Sequence, residues 1–368
     1  MTMNKLTKLF IILLLFAFSQ AQANEKIFVV ERNDSALSVI ENHKHKSRIT
    51  NLHNFNHAVV KFHKNEGFMI TRDGYVIKFD PVTEEKLKEY KTSKSAIGFV
   101  IEDRYLAVAN YDNKTVEILD HDLKSIQSFT TDSKNVGIKI YKDYLVFALM
   151  DKDEVWVLKD QAPSAKTPNF KLQKSFKNIG TAPFDAMIND QFYIVGFFNS
   201  PHVGVIDLEK MSFSKLELAL GNKQPVLKVP HFGFWSISAD RIFIPAVGDN
   251  KVFVFDSKFN FVKAIDVAGL PVFTSLSPDK KQLAVTFSGE HFPIVEIIDT
   301  ESLKITQNFD FKGKVLHLRW SKLEPLIYIS NNSDSKVLAY NTQDWTKQFE
   351  VPVKKPSGIF IYSNAADH

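Results

Sequence analysis

The chain of 368 residues contains no cysteine, so its chemistry must come from other side chains. This absence excludes disulfides, zinc–thiolate sites, iron–sulfur clusters, a catalytic thiol and covalent attachment of c-type haem. Histidine, aspartate and lysine remain for metal ligation, proton transfer and ion pairing, and aromatic rings remain for stacking on a flat ligand. The candidate site residues all lie near the ends of predicted strands in an internal repeat. They are His57, Asn110, Tyr111, Lys134, Asp151, Asp185, Phe198, His231, Trp235, Phe273 and His317.

An internal period predicts the architecture that positions these side chains. Eight short β-rich runs recur along the chain, and they end at Glu41, Asp80, Asp120, Asp160, Asp207, Asp256, Asp299 and Asn341. The spacing between these ends averages about 43 residues. A period of about 40 to 50 residues with short β runs is typical of propeller blades. The sequence therefore predicts an all-β fold, an eight-bladed β-propeller.

Each unit divides into four β-rich runs bounded by polar turns, which we name strands a to d from the channel outward. In the third unit they are residues 96–101, 105–110, 115–120 and 125–130. The N-terminal run 27–30 has the place of a b strand, and the C-terminal run 358–362 has that of an a strand. Pairing of these two runs closes the ring in the first blade and leaves neither edge exposed. Residues 161–175 are predicted to form one long surface loop.

Propeller geometry brings distant candidates to one opening. The loops from d to a and from b to c emerge on the same face of every blade, around the mouth of the channel. The d-to-a side carries His57, Lys134, Asp185, His231, Trp235, Phe273 and His317, and the b-to-c side carries Asn110, Tyr111, Asp151 and Phe198. Histidines, cations and aromatic rings together suit a flat, partly apolar ligand that carries carboxylates. No independent metal site is predicted.

Three of these candidates have alternative interpretations. Asp151 and Asp185 could orient a histidine or act as proton donors, because a carboxyl group under an apolar ligand has a raised pKa. For Asp151, the alternative is the capping of a turn. His317 lies inside a β run, and strand alternation places it on the face opposite Leu316 and Leu318. That face lines the channel or satisfies a backbone carbonyl.

The first 23 residues are predicted to be an export signal. Lys5 and Lys8 precede the apolar run 9–18, and Ala21-Gln22-Ala23 has the small-x-small pattern of a cleavage site. The run is shorter than the roughly 20 residues of a spanning helix, although a retained anchor is the alternative. We expect a soluble periplasmic protein without a stable membrane anchor, with one propeller domain over residues 24–368. The formal net charge of +4 indicates no nucleic-acid partner.

Several motifs carry a family resemblance. The most specific are Pro-His-Phe-Gly-Phe-Trp at 230–235, Pro-Ala-Val-Gly at 245–248 and Pro-Ser-Gly-Ile-Phe at 356–360. With weaker matches in order along the mature chain, they resemble the NirF family of haem d1 biosynthesis proteins, relatives of the d1 propeller of cytochrome cd1 nitrite reductase. The resemblance implies a periplasmic propeller that handles a late tetrapyrrole precursor of haem d1. It also implies other proteins of the haem d1 pathway and cd1 nitrite reductase as partners.

The resemblance further implies roles for individual side chains. His57 matches a histidine held important in the family, and it is the candidate catalytic residue and haem iron ligand. The residues that would fix the plane of haem d1 or its precursor are Asn110, Tyr111, Phe198 and Trp235. Lys134, where relatives carry arginine, would pair with a carboxylate of the ligand. The chain lacks the cysteine that anchors some relatives as lipoproteins, and its tail lacks the basic residues expected there.

Three functions of different classes remain open at this point. The protein is a precursor-modifying enzyme, a non-enzymatic carrier of the tetrapyrrole, or a generic periplasmic propeller that binds no porphyrin. Product formation on incubation with the precursor would separate the first two, and an absorbance titration would identify the third. A nitrite reductase of the d1 type would need a c-type haem domain, which the absence of cysteine excludes from this chain.

Overall fold

The computed structural model describes residues 25–56, 58–218, 236–238 and 240–363. These residues form 32 strands, numbered β1 to β32 in chain order, which pair as eight antiparallel four-stranded sheets. Two short 3-10 turns, Val247–Asp249 and Gly289–His291, are the helical elements of this described part. The sheets form a propeller ring, so the predicted all-β fold with eight blades is confirmed.

The two inner strands of each blade surround the channel. From blade 2 to blade 8 and then blade 1, the a strands are β4 (Val59–His63), β8 (Ala96–Glu102), β12 (Asn135–Tyr141), β16 (Pro183–Asn189), β20 (Ser236–Ile237), β24 (Leu270–Leu276), β28 (Val315–Trp320) and β32 (Pro356–Ser363). From blade 1 to blade 8, the b strands are β1 (Glu25–Glu31), β5 (Glu66–Ile70), β9 (Tyr105–Asn110), β13 (Tyr144–Leu149), β17 (Phe192–Phe197), β21 (Arg241–Ala246), β25 (Gln282–Ser288) and β29 (Leu326–Asn331).

The two outer strands of each blade complete the sheets. The c strands of blades 1 to 8 are β2 (Ala36–Glu41), β6 (Tyr75–Phe79), β10 (Thr115–Leu119), β14 (Glu154–Asp160), β18 (His202–Asp207), β22 (Lys251–Asp256), β26 (Ile294–Asp299) and β30 (Lys336–Asn341). The d strands are β3 (Lys44–Ile49), β7 (Lys86–Lys91), β11 (Ser125–Thr130), β15 (Phe170–Lys177), β19 (Ser212–Glu217), β23 (Phe261–Asp266), β27 (Lys304–Asp310) and β31 (Lys347–Pro352).

The burial of each strand follows its distance from the channel. The b strands are nearly continuous apolar runs, as in Tyr144–Leu149, because neighbouring blades cover both of their faces. The d strands are mostly exposed, as in Lys86–Lys91. The hydrophobic clusters therefore lie between blades, for example where Val146 of blade 4 packs with Val195 of blade 5. Burial of one large apolar side chain contributes roughly 1.5–3 kcal/mol, so these contacts hold the ring together.

The C-terminal strand closes the ring, as the sequence predicts. β32 pairs antiparallel with β1, so that Ile359 faces Val29 and Tyr362 faces Lys26. Ile359 is completely buried in the cluster that joins blades 8 and 1. β1 and β32 thus complete blade 1 as a four-stranded sheet, so β1 has a hydrogen-bonded partner on both sides.

Most a strands contain one extra residue near the mouth of the channel. The pairing register with the b strand shifts in β8, β12, β16, β24, β28 and β32. Such a bulge bends the strand and redirects the side chain at that point. Gly137 lies at the bulge of β12 with a φ of +59°, and a Cβ there would lie 2.9 Å from the Tyr193 hydroxyl oxygen. Glycine is therefore required at this position.

The prediction of one long loop at residues 161–175 is wrong for residues 170–175, which belong to a strand. The loop covers residues 161–169, and β15 begins at Phe170. The Gln127 side chain holds this start by accepting from the Phe170 N–H (3.0 Å) and donating to its carbonyl (2.8 Å). Such a tertiary contact has no signal in the local sequence.

The predicted export signal, residues 1–23, lies outside the described residues. Within the described ranges, no helix has the length and apolar character to cross a membrane.

Candidate functional site

A repeated hydrogen bond ties together the two loop types at the mouth of the channel. In four blades, the backbone N–H that follows a b strand donates to a carbonyl of the d-to-a loop of the same blade. These pairs are Tyr111 to Ser95 (2.8 Å), Met150 to Lys134 (2.9 Å), Phe198 to Ala182 (3.0 Å) and Asn332 to Lys314 (2.8 Å). The predicted meeting of b-to-c and d-to-a loops on one face is therefore present in these blades.

A group of cations surrounds one aromatic ring at this mouth, and we call Arg72, Tyr111, Lys134 and Asp151 the rim cluster. The Lys134 Nζ and the Arg72 Cζ each lie 5.4 Å from the centroid of the Tyr111 ring. Cations bind ring faces at such distances, so Tyr111 holds both of them at the edge of the mouth. Three of the predicted site residues thus lie together, and Arg72, which sequence reasoning missed, joins them.

Asp151 is the anion of the rim cluster. Its carboxylate accepts a hydrogen bond from the Lys134 backbone N–H (3.1 Å), and it lies 3.6 Å from the Nζ atoms of both Lys134 and Lys114. This is the capping geometry that the sequence leaves as the alternative for this residue. A catalytic role for Asp151 stays a prediction. About a third of its side chain is exposed, so the ion pairs are screened by solvent.

An apolar wall continues from the rim cluster into blade 5. The Tyr111 hydroxyl contacts the Met150 sulfur (3.7 Å), and the rings of Phe184 and Phe198 lie 4.3 Å apart at 32°. Ile97, Tyr111, Met150 and Phe184 all pack against the hydrophobic cluster between blades 4 and 5. The wall therefore offers a partly exposed aromatic surface beside the cations.

Below this wall, the a strands of blades 2 to 5 enclose a cavity of about 140 Å³. We call it the channel cavity. It is lined by Val59, Lys61, Ile97, Gly98, Phe99, Val136, Gly137, Ile138, Lys139, Phe184 and Asp185. Because Ile97 and Phe184 belong both to the wall and to the cavity lining, the two spaces are adjacent. The cavity is mostly apolar and carries two lysines and one aspartate.

Lys61 is the most unusual group of the channel cavity. Its Nζ donates to the Phe99 carbonyl (2.6 Å) and lies 5.3 Å from the centroid of the Phe99 ring. Burial, and to a smaller extent the charge of Lys139, lower the pKa of Lys61 to about 7. The side chain is partly accessible and lines the cavity. Sequence reasoning missed it, although a lysine two residues after Val59 in an a strand must share its face.

Asp185, a predicted catalytic residue, lies at the bulge of β16 and lines the same cavity. Burial raises the pKa of its carboxyl group to about 6, against the opposing effects of the Lys139 charge and of the Ala186 N–H. That N–H donates to Asp185 Oδ1 at 2.9 Å. A carboxyl group with this pKa can hold or release a proton near neutral pH, which is consistent with the predicted proton-donor role.

Replacement of Asp185 by asparagine is expected to stabilise the protein at neutral pH. The folded-state pKa is above the ordinary 3.8, so ionisation costs the folded state stability as the pH rises from about 4 to about 6. Asparagine avoids this cost, and we expect the variant to gain about 2–3 kcal/mol over the wild type between pH 4 and pH 7. Urea unfolding of both proteins at the two pH values measures the difference.

Asp207 is the control for this pH experiment, because its shift has the opposite sign. Burial alone would raise its pKa, but N–H groups of Lys210 and Glu209 donate to the carboxylate and lower it. Asp207→Asn should therefore lose stability relative to the wild type as the pH rises. A pH-independent difference between Asp185→Asn and the wild type would contradict the buried carboxyl group at Asp185.

The side chain of Asn110 forms hydrogen bonds that stabilise blade 3. The residue is fully buried, its Oδ1 accepts from the Thr92 hydroxyl (2.8 Å) and its Nδ2 donates to the Thr115 hydroxyl (3.0 Å). Its backbone carbonyl also accepts from Asn135 Nδ2 (3.1 Å). The structure thus places Asn110 beneath the mouth, and its predicted contact with a ligand stays a prediction.

His317 joins blades 7, 8 and 1. Its Nδ1 accepts from the Ile359 backbone N–H (3.0 Å), and its ring lies 6.0 Å from that of Phe273 and 5.8 Å from that of Phe360. Burial, with a smaller effect of the Arg319 charge, holds the pKa of His317 well below its usual range. The ring is therefore neutral and carries its proton on Nε2.

In β28, the predicted alternation of side chains holds between His317 and Leu318 but not between His317 and Leu316. Leu318 packs in the cluster between blades 7 and 8, whereas the bulge in β28 falls at Leu316 and interrupts the alternation there. His317 Nδ1 accepts from a backbone N–H, and the contact with a backbone carbonyl considered from the sequence stays a prediction. His317 and Phe273 lie together, on the inner strands of different blades from the rim cluster.

Three predicted residues, His57, His231 and Trp235, lie outside the described residues, and their roles stay predictions. Elsewhere in the described ranges, no three histidine, aspartate or glutamate side chains are grouped as a metal site. The side chains that are present fit a flat macrocycle with acidic substituents. They are the cations beside the Tyr111 ring, the apolar wall and the buried lysines beneath that wall. At the starts of β8 and β12, the buried Ser95 Oγ and Asn135 Oδ1 also have no hydrogen-bond partner among the described atoms.

Comparison with known proteins identifies relatives in sequence and in fold. The chain is 28% identical over 365 residues to Protein NirF of Pseudomonas aeruginosa, a match that covers 92% of this chain and 91% of that protein. It is also 28% identical over 361 residues to Protein NirF of Stutzerimonas stutzeri, with the same coverage. The solved dihydro-heme d1 dehydrogenase NirN in complex with DHE has a similar fold, with a TM-score of 0.79 at 18% identity over 91% of this chain and 74% of that one.

The resemblance to the NirF family found in the sequence motifs is thereby confirmed. The family profile described as Cytochrome D1 heme domain matches residues 22–365, nearly the whole chain. A match of this length covers all eight blades, the rim cluster and the channel cavity. The chain therefore belongs to the Cytochrome D1 heme domain family.

Proposed function

We propose that this protein binds haem d1 or a late tetrapyrrole precursor at the channel mouth and serves haem d1 biosynthesis. Membership of the Cytochrome D1 heme domain family and the likeness to NirF proteins support a role in haem d1 biosynthesis or binding. The observation that carries the proposal is the pairing of Lys134 and Arg72 with the Tyr111 ring, next to the apolar wall. Cations beside an exposed aromatic surface match the carboxylates and the flat face of a tetrapyrrole.

Each part of the site has a separate task in this proposal. Phe184 and Phe198 give the apolar surface on which the macrocycle lies. Lys134 and Arg72, held by Tyr111, pair with its peripheral carboxylates and so fix its rotation in the plane. His57 stays the candidate iron ligand by family resemblance. When bound, the macrocycle would supply an iron centre and a conjugated ring, and the protein orients it and excludes water from its inner face.

Asp185 supplies a proton-transfer group on the channel side of this site. Its pKa of about 6 lets the carboxyl group be protonated in part at neutral pH, and its position at the bulge places it in the cavity below the wall. An acid held under an apolar ligand can donate a proton to the ligand or take one from it. This is the role that we propose for Asp185, whether the tetrapyrrole is converted or passed on.

The proposed setting is the periplasm. The predicted export signal at residues 1–23 supports this location, and maturation of cd1 nitrite reductase by haem d1 would take place there. The partners that we propose are other proteins of the haem d1 pathway and cd1 nitrite reductase itself.

An absorbance titration tests the binding function. Purified protein without its first 23 residues is titrated with haem d1 extracted from cytochrome cd1, and the visible spectrum is recorded. We expect a saturable spectral shift at one haem d1 per chain with micromolar or tighter affinity, about 8 kcal/mol or more of binding free energy. Unchanged spectra at an excess of haem d1, with a folded protein by circular dichroism, would exclude the proposed function and favour the generic propeller.

A further inference from the structure

The channel cavity is lined by more basic than acidic groups. Lys61 and Lys139 line it with one carboxyl group, Asp185, which is itself partly protonated at neutral pH. Among the described residues, neither lysine has a carboxylate within ion-pair distance. The only hydrogen bond of Lys61 there goes to the Phe99 carbonyl, which accepts one of its three N–H groups.

A buried ammonium group with so few acceptors is costly unless something else completes its shell. Taking an unpaired charge out of water destabilises the folded state, and proteins keep such groups mostly where a ligand or partner meets them. The cavity next to Lys61 has about 140 Å³, far more than the roughly 10–15 Å³ that one water needs. It has room for the acceptor that the protein itself does not provide.

The channel cavity adjoins the apolar wall on which the macrocycle is proposed to lie. Ile97 and Phe184 form part of the apolar wall and also line the cavity, so a group attached to a ligand on the wall can reach Lys61. The lining of the cavity is largely apolar and includes Val59, Phe99 and Val136. A methylene chain that ends in a carboxylate fits an apolar lining next to the Lys61 ammonium group, whereas a fully hydrated inorganic anion does not.

We propose that the channel cavity receives one carboxylate side chain of the bound tetrapyrrole, with Lys61 and Lys139 as its cationic partners. This proposal rests on the proposed function and adds to it the group of the ligand that enters the channel. The rim cluster then binds the carboxylates at the edge of the macrocycle, and the channel cavity binds a different one beneath it. Two separated cation sites would fix which side of the ligand faces the channel.

The charged groups near Lys61 give this contact a pH dependence. From neighbouring strands, Lys139 and Asp185 face the same cavity, and β8 contributes the Phe99 carbonyl. The only titratable side chain of β32 is Tyr362, whose pKa burial raises further above neutral pH, and Glu66 of β5 is paired with Lys78 and His121. The pKa of Lys61 without ligand is about 7, and a ligand carboxylate beside it would raise this pKa. Binding above about pH 7 should therefore be accompanied by protonation of Lys61. Ionisation of Asp185 works in the same direction, because it repels the ligand carboxylate.

The experiment compares haem d1 as the free acid with its fully methylated ester, which has no carboxylate charge. The dissociation constants are measured for the wild type, Lys61→Met and Lys139→Met, with Lys142→Met as the control. Lys142 is paired with Glu209 in an exposed turn away from the cavity. We expect each cavity variant to weaken binding of the acid about tenfold or more and to leave the ester unchanged, since one charge-assisted contact is lost.

The pH profile provides a second measurement. For the wild type, the affinity for the acid should fall as the pH rises from 7 to 9, up to about tenfold per pH unit, and this slope should be lost in Lys61→Met. Removal of a buried charge is not expected to unfold the protein, which thermal unfolding checks. If the wild type does not bind haem d1, both proposals are overturned. If it binds haem d1 but both cavity variants keep the wild-type acid-to-ester ratio and pH slope, only the channel proposal is overturned.

Discussion

Exchange of Lys134 for glutamate should weaken the binding of haem d1 about a hundredfold at low ionic strength. The substitution removes one charge-assisted contact to a ligand carboxylate, worth roughly 1.5–3 kcal/mol, and places a negative charge where the carboxylate would bind. It also puts that charge next to Asp151, whose Oδ1 lies 3.6 Å from the Lys134 Nζ. The absorbance titration with haem d1 measures the change. Because Lys134 is 38% exposed, the loss should shrink in 0.5 M salt.

Two variants show whether this loss belongs to the rim cluster. Lys134→Arg keeps the positive charge and adds a second donor, so it should bind haem d1 as well as the wild type or better. Lys142→Glu makes the same charge change in the turn where Lys142 pairs with Glu209, and it should leave the affinity unchanged. Equal losses in Lys134→Glu and Lys142→Glu would mean that net charge, not the rim cluster, controls binding.

Exchange of Ile359 for alanine is expected to cost about 2–5 kcal/mol of the free energy of unfolding. Ile359 is completely buried in the cluster that joins blades 8 and 1, where it packs with Val29, Tyr328 and Val337. A cavity there weakens the seam at which strands from the two chain ends close the ring. Since domains are stable by only about 5–15 kcal/mol, this is a large part of the total. Urea unfolding followed by circular dichroism measures it.

Ile361 of the same strand is the matched control. It packs against the same cluster but stays partly exposed, so Ile361→Ala removes less buried surface and should cost about 1 kcal/mol. A similar cost for both variants would contradict the packing of β32 at the seam. A large cost for Ile359→Ala alone would establish that the last strand holds the ring closed.

The architecture could be predicted because its signals are local and repeated. Every blade repeats the same order of apolar b strand and exposed d strand, so eight copies of a weak pattern add up to a strong one. The orphan strands at the two ends then leave one closure, between β1 and β32. The loop at residues 161–175 was predicted less well, because the start of β15 depends on Gln127 in the neighbouring blade.

The site could be predicted only in part. Loop position alone placed Tyr111, Lys134 and Asp151 at the mouth, since propeller topology fixes where the b-to-c and d-to-a loops emerge. The role of each side chain depends on contacts between blades that no local pattern encodes. The side chain of Asn110 is hydrogen-bonded to the hydroxyls of Thr92 and Thr115, and the carboxylates of Asp151 and Asp185 each accept from a backbone N–H.

The sequence by itself determined the number of blades, the pairing of β1 with β32 and the face on which the b-to-c and d-to-a loops meet, because these follow from period and strand direction. Only the tertiary structure decided which side chains meet. The bulges in the a strands turn Asp185 into the channel and take Leu316 out of the strand alternation, and burial between blades changes the acidity of Lys61 and His317. Desolvation depends on everything packed around a group, so it exists only once the ring is closed.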